Sequence, residues 1–164
     1  MELPLVKEWS TYNYNDFPEV FVKMKGKIRN DDEFDSFCEK WYNLYEKNQD
    51  FTLIFDTTEV GFVSMKYAFK MRNFIRKLKR EKKTGLEKSV IIVKTSWVRN
   101  LLRLIFFLES PVAPVYVVTQ KTEFNFRQVL EDIENNNFRR NNITCYKPWI
   151  KIIYKFINYL GEEG

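Results

Sequence analysis

The sequence predicts a single α/β domain built on one mixed, mostly parallel β-sheet. Three observations carry this. Continuous apolar runs at residues 51–56, 89–94 and 115–118 read as buried central strands. Between them lie segments whose apolar residues recur at three and four, the spacing of helices. An alternating segment at residues 19–28 adds a half-buried strand near the start. The resulting order is β-β-α-β-α-β-α-β-α followed by a tail, and strands that alternate with helices pair in parallel. A chain of 164 residues with 15 Phe, 9 Tyr and 4 Trp has the size and composition to bury a core without disulfides or metal.

The elements follow in order. Residues 6–14 predict a strand, and Asn15, Asp16 and Pro18 a turn. Residues 19–28 then place Val20, Val22, Met24 and Ile28 on one side, so the two strands form an antiparallel hairpin. Asn30 is placed to cap the first helix, with Glu33 three residues on. Its apolar stripe is Phe34, Phe37, Cys38, Trp41, Leu44 and Tyr45; Asp31, Asp32, Glu33 and Asp35 crowd its start, where the helix dipole favours negative charge.

After the strand at 51–56, residues 64–83 predict a second helix. Tyr67, Ala68, Met71, Phe74, Ile75 and Leu78 form its apolar side, with Lys66, Lys70, Asn73, Lys77 and Arg80 opposite. Beyond the strand at 89–94, Ser96 is placed to cap an apolar helix over 97–108. Pro111 and Pro114 break the chain before the strand at 115–118. Thr122 or Glu123 opens a last helix carrying Phe126, Val129, Leu130 and Ile133. An edge strand within 141–146 is left open. Residues 149–160, after Pro148, have a helical apolar face of Trp149, Ile153, Phe156, Ile157 and Leu160, with Lys151, Lys155 and Asn158 pointing away. The organisation expected is a domain over 1–137 and a C-terminal extension over 138–164 whose amphipathic helix docks on that domain.

This order resembles the STAS domain, the fold of anti-sigma-factor antagonists and of the cytoplasmic part of sulfate transporters, and it is similar to the related CRAL-TRIO fold. The resemblance covers about residues 5–136. Leu53-Ile-Phe-Asp-Thr-Thr-Glu-Val-Gly-Phe-Val63 looks like the family's strand ending in an aspartate and the loop after it. Ser96-Trp-Val-Arg-Asn-Leu-Leu-Arg-Leu-Ile105 looks like its short helix before the last strand, and residues 115–133 like that strand and the terminal helix. The resemblance implies helices mainly on one face of the sheet, and a module that works by protein–protein contact. Anti-sigma antagonists carry an Asp-Ser-Ser-Gly loop with a phosphorylated serine. Here the matching stretch is Ser64-Met65-Lys66-Tyr67, with Lys66 at the acceptor position, so that switch is expected to be absent.

The chemistry legible in the residues argues against an enzyme. The chain has no histidine, which removes the commonest general base and metal ligand. It has no Cys-x-x-Cys pair, and Gly26, Gly61 and Gly85 stand singly, so no phosphate-cradling loop is expected. Asp56, at the end of a buried strand, is read as a loop-fixing carboxylate. No catalytic residue, metal or cofactor is expected. Cys38 and Cys145 lie far apart and read as free thiols of a reducing compartment. The start Met1-Glu2-Leu3-Pro4 lacks a signal-peptide pattern, and the apolar run 101–108, interrupted by Arg103, is far short of the ~20 residues of a membrane span. A soluble, cytoplasmic protein is the expectation. Scarce alanine with abundant Asn, Lys, Ile, Phe and Tyr is the bias of AT-rich genomes, including those of large DNA viruses.

Three surfaces are candidates for function. The formal net charge is +5, yet the window 64–83 alone sums to about +8. Its cations Lys66, Lys70, Arg72, Arg76, Lys77 and Arg80 are expected to form, with the adjoining loop, the docking face for an acidic protein partner. Anionic lipid is the second partner class, and the bland alternative is a solvated face answered by the acidic start of the first helix. Nucleic acid is not favoured, because the aromatics of this helix lie on its buried side. Residues 76–83 also have the composition of a nuclear-import patch. The second candidate is the rim at the carboxyl ends of the strands, where Thr57, Thr58, Ser64, Lys94, Thr95, Ser96 and Arg99 offer hydroxyls and cations to an anion. The third is the apolar face of residues 149–160, for a membrane interface or a partner if it does not dock on its own domain. A structural role, for instance in a virus particle, fits as well.

Overall fold

The computed structural model describes residues 8–120, 125–139 and 142–148. Among these, six strands form one sheet whose spatial order is that of the sequence: β1 (Ser10–Asn13), β2 (Glu19–Gly26), β3 (Phe51–Val60), β4 (Leu86–Val93), β5 (Val115–Thr119) and β6 (Ile143–Tyr146). β1 pairs antiparallel with β2, strands β2 to β5 run parallel, and β6 returns antiparallel on β5. The connecting helices are α1 (Asp31–Leu44), α2 (Met65–Arg80), α3 (Ser96–Leu108) and α4 (Phe126–Glu134).

The helices take their places from the strand order. A crossover between parallel strands is right-handed in nearly all proteins. The order advances in one direction from β2 to β5, so three such crossovers bring α1, α2 and α3 to the same face. There they share one core with Val20, Val22, Leu53, Phe55, Ile91 and Val93. α4 leads into an antiparallel strand and escapes the rule. It covers the opposite face, where Val129 and Ile133 meet Ile54, Val90, Ile92 and Val118. Leu53 and Phe55 therefore serve one core and Ile54 the other, as the two-residue period of a strand requires.

α1 begins as its sequence predicts. The extended Asn30 accepts a hydrogen bond from the Glu33 amide at 3.0 Å, and the Glu33 carboxylate accepts one from the Arg29 amide at 2.7 Å. The reciprocal cap thus reaches one residue further back than the usual box. Asn30→Ala is expected to cost about 1 kcal/mol, read as a lower thermal midpoint with the fold retained. At the other end of the next crossover, Gly85 has φ +130°, a conformation that L side chains rarely adopt, and its carbonyl accepts from the Phe51 amide at 2.8 Å. This bond ties the start of β3 to the loop that enters β4.

The structure departs from the sequence reading at several element bounds; β4 begins at Leu86, ahead of residue 89, and α2 ends at Arg80, short of residue 83. β3 continues past Asp56 to Val60, because its second half pairs with the end of β2 and Glu59 lies 3.1 Å from Lys23 and 3.7 Å from Lys25. α3 is capped by Thr95, whose hydroxyl accepts from the Val98 amide at 3.3 Å; Ser96, the cap expected, is its first helical residue. The described part of the last helix is capped by Asn125, which accepts from the Gln128 amide at 3.2 Å, while Thr122 and Glu123 lie outside the described residues. The edge strand left open is present as β6, so the sheet takes in part of the 138–164 stretch. The helix expected over 149–160 lies outside the described residues. Among the described residues, no helix is long and apolar enough to cross a membrane.

Candidate docking surface

The cations of α2 divide into those held within the fold and those left open. Lys66 pairs with Asp31 at 2.7 Å, and Lys70 with Asp35 at 2.9 Å and Asp31 at 3.7 Å. The acidic first turn of α1 thus answers the start of α2, and Lys70 also stands 5.5 Å above the Phe34 ring. The hydrogen bond from Lys66 holds the Asp31 carboxyl below the usual carboxylate range. Further along, Arg76 and Lys79 converge on Glu109, at 2.8 and 2.7 Å, and Lys79 also donates to the Ser110 hydroxyl at 2.8 Å. Lys77 and Lys83 flank the Tyr42 ring at 4.6 and 4.7 Å. Arg72 lies 5.1 Å over the Phe69 ring and donates to Asn73. No carboxylate of the described residues pairs with Arg72, Lys77, Arg80, Lys82 or Lys83. Of the six cations expected to dock a partner, Arg72, Lys77 and Arg80 are therefore the open ones.

Glu109 ties the ends of α2 and α3 together. Burial alone raises its pKa, but the hydrogen bonds from Lys79 and Arg76 outweigh burial and hold the carboxyl below its ordinary value. A depressed carboxylate stabilises the fold above its unfolded pKa and loses that contribution as pH falls through its folded pKa. Acid unfolding is therefore expected to begin below about pH 4.3 in part through Glu109. Glu109→Gln should be less stable than the parent near neutrality and lose less on acidification, as measured by urea unfolding across that pH range.

The rim expected to hold an anion uses most of its hydroxyls internally. Thr57 is a buried residue of β3 and donates to the Ile92 carbonyl at 2.7 Å. Thr58 donates to the Asp56 carboxylate, 3.0 Å from its amide and 2.6 Å from its hydroxyl; Asp56, expected to fix a loop at a strand end, instead lies within β3 and holds its neighbour there. Ser64 caps α2 through the Lys66 amide at 3.4 Å, and Thr95 caps α3. Lys94 and Ser96 are exposed and Arg99 is half-buried. The two helix starts that an anion would need are thus already occupied by the protein's own side chains.

What the rim does present is apolar. Phe62 in the β3–α2 loop is 60% exposed, Met65 52%, Phe69 40% and Trp97 40%. The Phe62 and Trp97 rings are stacked, with centroids 5.1 Å apart and planes 22° from parallel. Met65 and Phe69 are one helical turn apart and so share the outer side of α2. The same side continues into Arg72, Arg76 and Arg80. Sequence reasoning singled out none of these four apolar residues. Two signals were available: Phe69 falls off the apolar stripe of α2 among the cations, and Phe62 lies in a loop beside Gly61.

The thiols are not poised for chemistry. Burial, with Asp35 close by, pushes the Cys38 thiol up to about 12, and burial raises Cys145 as well; both are free. Among the described residues no three His, Cys, Asp or Glu side chains gather as metal ligands.

Strand order, opening hairpin and a three-helix layer on one face together define a STAS-like α/β fold. No family model matches the sequence, and no curated protein matches it. Among solved structures the chain is similar to an uncharacterised protein of the DUF3478 family with a SpoIIAA-like fold from Shewanella loihica PV-4. The identity is 15%, over 74% of this chain and 90% of that one, with a TM-score of 0.43. The position that resembles the antagonists' phosphorylated serine is Lys66, whose ammonium is paired with Asp31.

Proposed function

We propose that the protein is a non-enzymatic docking module that binds an acidic protein surface through one mixed patch. The patch comprises the β3–α2 loop, the outer side of α2 and the first turn of α3. The observation that carries this reading is the group of four exposed apolar side chains, Phe62, Met65, Phe69 and Trp97, at one end of a helix whose outer side is otherwise basic. Interface centres are enriched in aromatics, Met and Arg, with charges toward the rim, and this patch has that composition. The aromatic end supplies the anchor. Arg72, Lys77 and Arg80 supply the charge that steers an acidic partner.

Reversing Lys66 or Lys70 is a poor test, since it breaks the contacts between α1 and α2. Lys77→Glu with Arg80→Glu is the better one. The double variant is expected to keep its thermal midpoint, to bind the captured partner about tenfold more weakly, and to lose much of the salt dependence of the on-rate. Unchanged partner binding would contradict the reading. So would salt-resistant binding of the parent to anionic vesicles through the same residues with no protein partner, which would assign the patch to a membrane surface.

A further inference from the structure

We propose that the partner presents an amphipathic α-helix, laid antiparallel along α2, with acidic first turns and apolar last turns. The inference rests on the docking reading above and names the element that docks. Its carrier is the outer stripe of α2. Met65, Phe69, Arg72, Arg76 and Arg80 follow one another at intervals of four, three, four and four, which keeps them on one side of a helix. Met65, Phe69, Arg76 and Arg80 are exposed and Arg72 is half-buried. All three arginines of α2 stand on this stripe, and its four lysines are engaged elsewhere. Lys66 and Lys70 answer the start of α1, Lys77 stands against Tyr42, and Lys79 is held by Glu109 and Ser110. The planar fork of arginine takes a carboxylate in two bonds, which the point charge of lysine does not.

The stripe is divided along its length. Its first two residues are apolar, and the Phe62–Trp97 stack adjoins them because α2 and α3 run side by side in one direction. Phe62, just before α2, meets the first turn of α3, while Arg76 and Lys79 meet Glu109 just past its end. Arg72 joins the two parts, with its guanidinium 5.1 Å over the Phe69 ring. Arg76 donates to Glu109 from Nε, which fixes its direction. A helix is the element that fits this surface. α2 lies between two other helices, so an extended segment laid on it finds no backbone partners, whereas a helix satisfies its own. From Met65 to Arg80 the stripe rises about 22 Å, or roughly four turns, the reach of a helix of about fifteen residues. Carboxylates at i, i+4 and i+8 of such a helix recur at the pitch of Arg72, Arg76 and Arg80. The direction follows from the division. Acidic residues are favoured in the first turn of a helix and disfavoured in its last. The partner's start therefore lies over Arg76 and Arg80 and its apolar end over Phe69, Met65 and the Phe62–Trp97 stack.

The probes are three fluorescein-labelled synthetic peptides of about fifteen residues. The first is stapled as a helix, with Glu toward its start and Leu and Phe toward its end on one side. The second is stapled alike with the two halves exchanged. The third is the first sequence unstapled, with two central prolines that abolish the helix. In anisotropy titrations against the full chain, the first peptide is expected to bind at least tenfold more tightly than either of the others. Arg72→Gln with Arg80→Gln should remove its advantage over the second. Equal affinities for the three, weakened alike by Phe62→Ser with Trp97→Ser, would overturn the helix and leave the docking patch in place. No binding of the first peptide would also overturn the helix, and Lys77→Glu with Arg80→Glu then tests the patch separately against a whole protein partner.

Discussion

Phe37→Ala is expected to destabilise the protein by about 3–5 kcal/mol, a large part of the ~5–15 kcal/mol that holds a typical domain. Phe37 is the joint of the larger core. Its ring centroid lies 5.5 Å from Trp9, 6.0 Å from Phe34, 6.2 Å from Trp41 and 6.0 Å from Phe55, so one side chain couples the start of the chain, α1 and β3. Its backbone carbonyl also accepts the Tyr12 hydroxyl at 2.7 Å, which seats β1 on α1. Removing the ring leaves a cavity walled by other rigid rings, which collapse poorly. Urea unfolding should show the loss as a lower midpoint with little change in slope. Phe107, 86% exposed on α3, is the control: Phe107→Ala should change stability by less than about 0.5 kcal/mol. Similar effects at the two positions would mean that the aromatic cluster does not organise the core.

Phe62→Ser combined with Trp97→Ser is expected to weaken partner binding by about a hundredfold or more while leaving the fold intact. Aromatic anchors at interface centres are each worth about 2 kcal/mol or more on truncation, and about 1.4 kcal/mol is a factor of ten. Both rings are substantially exposed and stack chiefly on each other, so their removal empties no core cavity. Comparison of equilibrium binding with thermal midpoints separates the two effects. Retained affinity at an unchanged midpoint would remove the anchor from the account.

Much of the fold is legible in the sequence because its two periodicities are clean. The stripe from Phe34 to Leu44 and the buried runs of β3, β4 and β5 say helix and strand without help from context. Local polarity misleads at Asp56, Thr57 and Thr58. They read as a strand end, yet Thr57 is buried because the Ile92 carbonyl accepts its hydroxyl and β2 continues alongside. At Thr95 and Ser96 two residues are equally able to cap, and only backbone geometry chooses between them. The candidate site was less legible, for a different reason. A sequence shows nine cations between residues 66 and 83 but not what stands opposite them. Glu109 is far along the chain, and Asp31 and Asp35 belong to another helix, yet together they neutralise Lys66, Lys70, Arg76 and Lys79. The exposed aromatics went unread because helical periodicity sorts residues into a buried and a solvated side and takes large apolar ones for the former.

The central claim, that the Phe62–Trp97 end of the α2 surface is where a protein partner sits, is tested most directly by site-resolved photo-crosslinking. A benzoylphenylalanine is placed in turn at Phe62, Phe69, Trp97 and Phe107 of the otherwise unaltered chain and irradiated in cell extract. The account predicts one shared adduct with an acidic protein from Phe62, Phe69 and Trp97, competed away by excess unlabelled parent, and none of that adduct from Phe107. No competed adduct from the three rim positions, or the same adducts in equal yield from Phe107, would contradict it.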